Sequence, residues 1–138
     1  MSELIRFGVS IEKDLLTRFD KLISKENYPN RSEAFRDLMR DKLVDEEWEK
    51  GAGEVAGVVT LVYDHHKRDV RNLLEDVQHD HHGLIVSGQH IHLDHDNCLE
   101  IIVLRGESDK VRTVAGALKS IKGVKHGQLA MATTGKDI

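Results

Sequence analysis

The opening segment of this chain cannot bury a core by itself, and that limits what it can fold into. Ile5, Phe7, Val9 and Ile11 alternate with Arg6, Gly8 and Ser10, the period-two pattern of a half-buried strand. Leu15, Leu16, Phe19, Leu22 and Ile23 then form an apolar stripe at helical spacing, and Asn27-Tyr28-Pro29-Asn30 stops it. Asn30, with Glu33 three positions on, is placed to cap a second helix, whose stripe continues through Phe35, Leu38, Met39 and Leu43. One strand and two helices over roughly 45 residues need a staple or a partner, and the lone strand has no sheet to join. Two chains remove both deficits if their strands pair into an antiparallel ribbon beneath four interlocked helices.

That arrangement is the ribbon-helix-helix fold, βαα and dimeric, expected over residues 1–48. Residues 45–54 (DEEWEKGAGE) turn acidic and then Gly-rich, which marks a joint, and the linker is set at 49–54. Residues 55–138 form the second domain. Val55–Tyr63 reads as a strand, Lys67–Gln78 as a helix, Leu84–His92 and Cys98–Arg105 as strands around the polar loop Asp94–Asn97. Ser108 is placed to cap a helix that Gly123 ends, and Val124–Met131 is the last strand. The order is that of a ferredoxin-like βαββαβ unit with both helices on one sheet face, so the chain is α+β. Both alternating sets of Val55–Tyr63 are apolar, so a second copy is expected to cover the face without helices.

Composition excludes more than it assigns. No apolar run approaches the ~20 residues of a spanning helix, and the start MSELIRFGVS lacks a secretory pattern, so a cytoplasmic location with no membrane partner is expected. Net charge is −4, and residues 1–50 and 51–138 each hold ten Lys+Arg against twelve Asp+Glu, so no basic patch announces nucleic acid. Any DNA contact must rest on placement. Cys98 is the only cysteine, and eight of nine histidines fall between His65 and His95. Such clustering points to metal, with a solvated polar stretch as the competing reading.

His90 and His92 are two apart in a strand, so they leave one face together, and Cys98 opens the adjacent strand. Two imidazoles and a thiolate suit zinc, copper or nickel alike; the alternative is surface histidines beside a core cysteine. Glu100 is placed to hydrogen-bond a ligating imidazole. His79, His81, His82 and His95 are candidates for a fourth ligand, and spacing alone does not choose among them.

Over residues 4 to 131 the chain resembles the nickel-responsive transcriptional regulators. The resemblance is carried by the Arg-containing first strand, Asn30-Arg31-Ser32-Glu33-Ala34 with Arg36-Asp37, His66-Lys67-Arg68-Asp69, Gln78-His79, and His90-x-His92-x-x-His95-x-x-Cys98-Leu99-Glu100. It implies an ACT-type regulatory domain and a square-planar Ni(2+) site at a tetramer interface, made by His90, His92 and Cys98 with His79 of a neighbouring subunit. His95 falls outside that set. It also implies that Glu33 and Asp37 help hold a second cation, and that Lys67 and Arg68 meet DNA phosphates. The expected activity is nickel-activated repression of nickel uptake genes at a palindromic DNA operator, by a homotetramer. Whether His65, His66, His81, His82 or His95 form further weak metal sites stays open.

A two-stranded ribbon fits the major groove, so Arg6 and Ser10 are the expected base readers, and Gly8 lets the backbone approach closely. Gly8 stands where close relatives often carry a hydroxyl residue, which leaves the target sequence open. Asn30, Arg31 and Ser32 would hold a phosphate at a helix start; plain helix capping is the alternative. Two rival functions are a ribbon-helix-helix regulator that answers another metal or a small molecule, and a His-x-His metallohydrolase. The hydrolase is disfavoured because four protein ligands leave no position for water.

Overall fold

A computed structural model describes residues 2–51 and 53–138, with only the backbone of Arg68. Ala52, in the expected linker, lies outside the described residues. The chain divides into two compact units, the first ending at Asp41 and the second running from Lys42 to Ile138.

In the first unit, α1 (Lys13–Lys25) is followed by a turn and by the start of α2 (Arg31–Glu49). Asn27 takes a positive φ of 66° in that turn, a conformation asparagine tolerates better than most residues. The Glu33 N–H donates to Asn30 Oδ1 at 2.9 Å, the cap expected from the sequence. Phe19 and Phe35 stack with ring centroids 5.3 Å apart. Among the described residues of this unit only Ile23 and Ala34 are buried.

The strand expected over Ile5–Ile11 makes no ladder in the single chain, since a strand's N–H and C=O groups need a neighbouring strand. Its apolar set stands in solvent, with Ile5 78%, Phe7 68% and Val9 60% exposed. Covering each such side chain stabilises by about 1.5–3 kcal/mol, the force available to a partner strand. A Cβ built on Gly8 would meet nothing within 4 Å, so this chain's own packing does not demand glycine there.

The second unit is a four-stranded antiparallel sheet in the order β2-β3-β1-β4, from β1 (Glu54–Asp64), β2 (Ile85–His92), β3 (Asn97–Glu107) and β4 (Val124–Met131). The helices α3 (Arg68–Asp80) and α4 (Ser108–Lys119) complete the βαββαβ order. Val55, Val59, Leu61 and Tyr63 of β1 are buried with Ile102 and Leu104 of β3 against Val70 and Leu74 of α3 and Val111, Val114 and Leu118 of α4. The alternate set, with Val58, Val62, Leu99, Ile101 and Val103, is only partly buried. Ser108 does not cap α4: Glu107 holds the cap position, and the Ser108 hydroxyl is buried without a partner. Gly123, at φ +104° beyond the end of α4, turns the chain into β4 beside Val70.

The acidic stretch read as the beginning of the joint is helical to Glu49, because Trp48 anchors it. Trp48 is 2% exposed, its indole N–H donates to the Ala132 carbonyl at 2.8 Å, and Arg112 lies over its ring at 5.7 Å. Gly57 makes room for it: a Cβ there would lie 3.2 Å from the indole. Trp48→Ala is therefore expected to destabilise the second unit by about 3–5 kcal/mol, read as a lower denaturation midpoint in urea followed by circular dichroism. An unchanged midpoint would contradict this anchoring role.

Candidate metal centre

The pairing of β2 with β3 sets His92 opposite Cys98 and His90 opposite Glu100, so all four side chains leave one face. Cys98 is fully buried, and its Sγ lies 3.4 Å from His92 Nδ1. The imidazoles of His90 and His92 meet edge to face with centroids 4.9 Å apart. A tight loop delivers the cysteine to this place, with Asp94 Oδ1 accepting from the N–H groups of Asp96 and Asn97 at 2.9 and 2.7 Å. The Asn97 N–H contact, foremost among these bonds, holds the Asp94 carboxyl below its usual range.

Behind His90 stands a group that sequence reasoning missed. Tyr63 pairs with Cys98 across β1 and β3, and its hydroxyl donates to Glu100 Oε1 at 3.0 Å. His90 Nδ1 lies 3.0 Å from the same carboxylate oxygen and 3.1 Å from the Tyr63 hydroxyl. A carboxylate only accepts, so His90 donates to it through Nδ1, which leaves Nε2 as the nitrogen available to another partner. Burial, and after it the Glu100 charge, push the Tyr63 phenol well above its ordinary range, so it keeps its proton. The signal for Tyr63 lay in the register, since it follows Val59 and Leu61 on the helix-facing side of β1.

The other anticipated residues divide plainly. His79 lies in the last turn of α3, exposed, and its nearest ring is His82 at 6.5 Å; among the described residues it joins no cluster of metal donors. His81 and His82 are exposed too. His66, His95 and Asp96 form a separate exposed group, with His66 Nε2 3.4 Å from the Asp96 carboxylate. Glu33 is held by Arg36, and Asp37 accepts from the Tyr28 hydroxyl at 2.8 Å. Arg6, Gly8 and Ser10 are exposed. Asn30 caps α2, Arg31 forks onto Asp20 at 2.9 and 2.7 Å, and Ser32 is exposed. Lys67 occupies the cap position of α3 and is exposed; the Arg68 side chain lies outside the described residues.

Residues 56–132 match the family model described as the NikR C terminal nickel binding domain, and residues 2–46 match that of ribbon-helix-helix proteins of the copG family. A nickel-responsive regulator of Nitratidesulfovibrio vulgaris is 54% identical across 100% of this chain and 99% of its own. One from Solibacter usitatus is 56% identical and one from Geobacter sulfurreducens 53% identical, both over the same shares. The chain belongs to the nickel-responsive regulator family. It is a nickel-responsive DNA-binding regulator with a ribbon-helix-helix segment and a nickel-binding domain, and it is not an enzyme. An uncharacterized protein from Thermotoga maritima, 15% identical, shares the fold over 56% of this chain and 96% of its own with a TM-score of 0.51. No helix among the described residues is long and apolar enough to cross a membrane.

The donors fit the metal of this family, since nickel takes imidazole and thiolate and the β2–β3 pair presents both. In the bare chain, burial first and the nearby Glu100 charge second push the Cys98 thiol up, so it holds its proton until a metal displaces it. Thiolate should thus appear only above the usual cysteine range. Alkylation of Cys98 by iodoacetamide in metal-free protein at pH 8 is expected to run at least ~10-fold slower than for a free thiol and to climb above pH 9. A rate equal to that of the unfolded chain would contradict this environment.

Proposed function

We propose that His90, His92 and Cys98 of one chain and His79 of a neighbouring chain hold nickel together, and that loading this site licenses repression of nickel uptake genes. One observation carries this reading. The β2–β3 register sets His90, His92 and Cys98 on one face, while His79 stands exposed at the end of α3 and, among the described residues, joins no donor cluster of its own chain, which supports a ligand role toward a neighbour. Glu100, hydrogen-bonded to His90 and to Tyr63, fixes the ring that would ligate, as partners of metal-bound imidazoles do.

The assembly needed for such sharing has support in both units. The bare apolar edge of residues 5–9 needs a second strand, and the open face of the sheet, with Val58, Val62, Ile101 and Val103, needs a second cover. A homotetramer made as a dimer of dimers satisfies both. Paired ribbons then present two copies of Arg6, Gly8 and Ser10 related by a two-fold axis, which calls for a palindromic operator in a cytoplasmic genome. Nickel that fixes the end of α3 also fixes its beginning, where Lys67 and Arg68 would meet phosphates. Metal and DNA then strengthen each other's binding by the same free energy. In this reading Asn30 acts through its cap, and Arg31 must leave Asp20 to reach a phosphate. Glu33 and Asp37, which already face cations or donors, would serve as the second cation's ligands.

Subunit mixing tests the shared site. A His79→Ala chain and a Cys98→Ala chain should each lose the sulfur-to-nickel absorption band and nickel-dependent operator binding. Refolded together in equal amounts, they should regain about a quarter of the band, the share of sites that random pairing leaves with an intact donor set. No recovery, with both variants still assembled by sedimentation, would show that the ligands do not come from two chains.

A further inference from the structure

The last residues of the chain fold back over the place where α2 gives way to β1. Beyond β4 the Ala132 N–H donates to the Ala56 carbonyl at 2.9 Å, which carries the ladder one step past the strand. The Ala132 carbonyl in turn accepts from the Trp48 indole at 2.8 Å. The Thr133 hydroxyl donates to Glu47 Oε2 at 3.0 Å and accepts from the Gly135 N–H at 3.1 Å, so the tail turns there. Lys136 then reaches Glu54 Oε2 at 3.2 Å, a carboxylate that Arg105 of β3 also holds, at 2.7 Å. One short tail thus grips Glu47 and Trp48 before the glycine-rich stretch and Glu54 after it. Gly51, between them, takes a φ of 71° so close to Asp109 of α4 that a Cβ would collide with the carboxylate.

A stretch whose composition reads as slack is therefore held at both ends. The two compact units divide inside α2, between Asp41 and Lys42, so the end of this helix belongs with the nickel-binding domain. Charge does not keep it helical. Asp45, Glu46, Glu47 and Glu49 crowd the end where the helix dipole disfavours carboxylates, and no basic residue lies in the last turn. Such an end frays unless tertiary contacts hold it, and the tail supplies two of them at Glu47 and the buried Trp48.

We propose that residues 132–136 are a clasp that keeps the end of α2 helical and joined to the nickel-binding domain, so that nickel loading reaches the DNA-binding segment through a continuous helix. With the clasp open, residues 42–49 would fray and the two domains would respond independently. Coupling between distant sites is carried by packed side chains and stiff elements, and every residue freed between them adds conformational entropy that binding must remove. The clasp includes neither the metal donors nor the residues expected to read DNA. It sets how strongly one ligand is felt by the other. This inference rests on the response of the chain to nickel and is independent of which chain supplies the fourth ligand.

The test compares the native protein with a variant lacking residues 132–138 and with the double variant Trp48→Phe, Thr133→Val, which removes both side-chain donors of the clasp and keeps their bulk. The DNA is a duplex selected from a random pool by the nickel-loaded native protein, and binding is measured with and without Ni(II). Both variants are expected to keep nickel affinity and the sulfur-to-nickel absorption band, and to bind the duplex as the native protein does when metal-free. With nickel they should bind it at least ~10-fold more weakly than the native protein. Amide hydrogens of residues 43–50 should exchange at least ~10-fold faster. Unchanged exchange would overturn the clasp, and faster exchange with nickel-dependent binding intact would overturn its part in regulation. Loss of nickel affinity in the double variant would also overturn the proposal, by making the tail a support of the metal centre. If circular dichroism shows that removing residues 132–138 unfolds the second domain, the double variant decides. Native protein whose own binding did not depend on nickel would overturn the reading in which nickel licenses DNA binding, and this inference with it.

Discussion

The antiparallel register between β2 and β3 is the constraint on which the metal chemistry depends. A shift of one residue would turn His90 and His92 to the opposite face, away from Cys98 and Glu100. β3 is anchored by burial, since the same face carries Ile102 and Leu104 into the core beside Val59 and Leu61 of β1, and the edge strand β2 is held in register on it by its backbone ladder. The donors are thus fixed by the packing of a small sheet rather than by their attraction for a metal. They sit on strands, and only the side chains need adjust when an ion arrives.

Both units leave apolar surface uncovered in the single chain. In the first, Ile5, Phe7 and Val9 stand in solvent over an interior that holds little beyond Ile23, Ala34 and the Phe19–Phe35 stack. In the second, one sheet face is packed by α3 and α4 and the other is half-exposed. The functional consequence is economical. In the proposed assembly, a DNA-reading strand that pairs with a second chain and nickel ligands drawn from two chains would couple folding, assembly and metal sensing through the same surfaces.

Much of this was legible in the sequence because the signals were periodic. The alternation of Val55–Tyr63, the stripe of Val70, Leu73, Leu74 and Val77, of which Leu73 proves exposed, and the His-x-His spacing matched most elements of the second unit to within a residue or two and set His90 and His92 on the same face as Cys98. What was not legible depended on tertiary contact. Acidic DEEWEK reads as a solvated joint until Trp48 is seen to reach the Ala132 carbonyl, a partner 84 residues away. Tyr63 looks like one more apolar strand residue until the register sets its hydroxyl beside Glu100, and Ser108 looks like a cap until the turn places Glu107 there. The Ile5–Ile11 strand was legible as a pattern, but the single chain gives it no partner strand among the described residues.

The central claim is that nickel is bound through the Cys98 sulfur and histidine nitrogens set by the β2–β3 pair. X-ray absorption at the nickel edge of the fully loaded protein tests it most directly, because sulfur and imidazole scatter distinguishably. The account predicts one sulfur and three imidazole nitrogens around each nickel, with the sulfur lost in Cys98→Ala. A nickel surrounded only by nitrogen and oxygen in the native chain would contradict it.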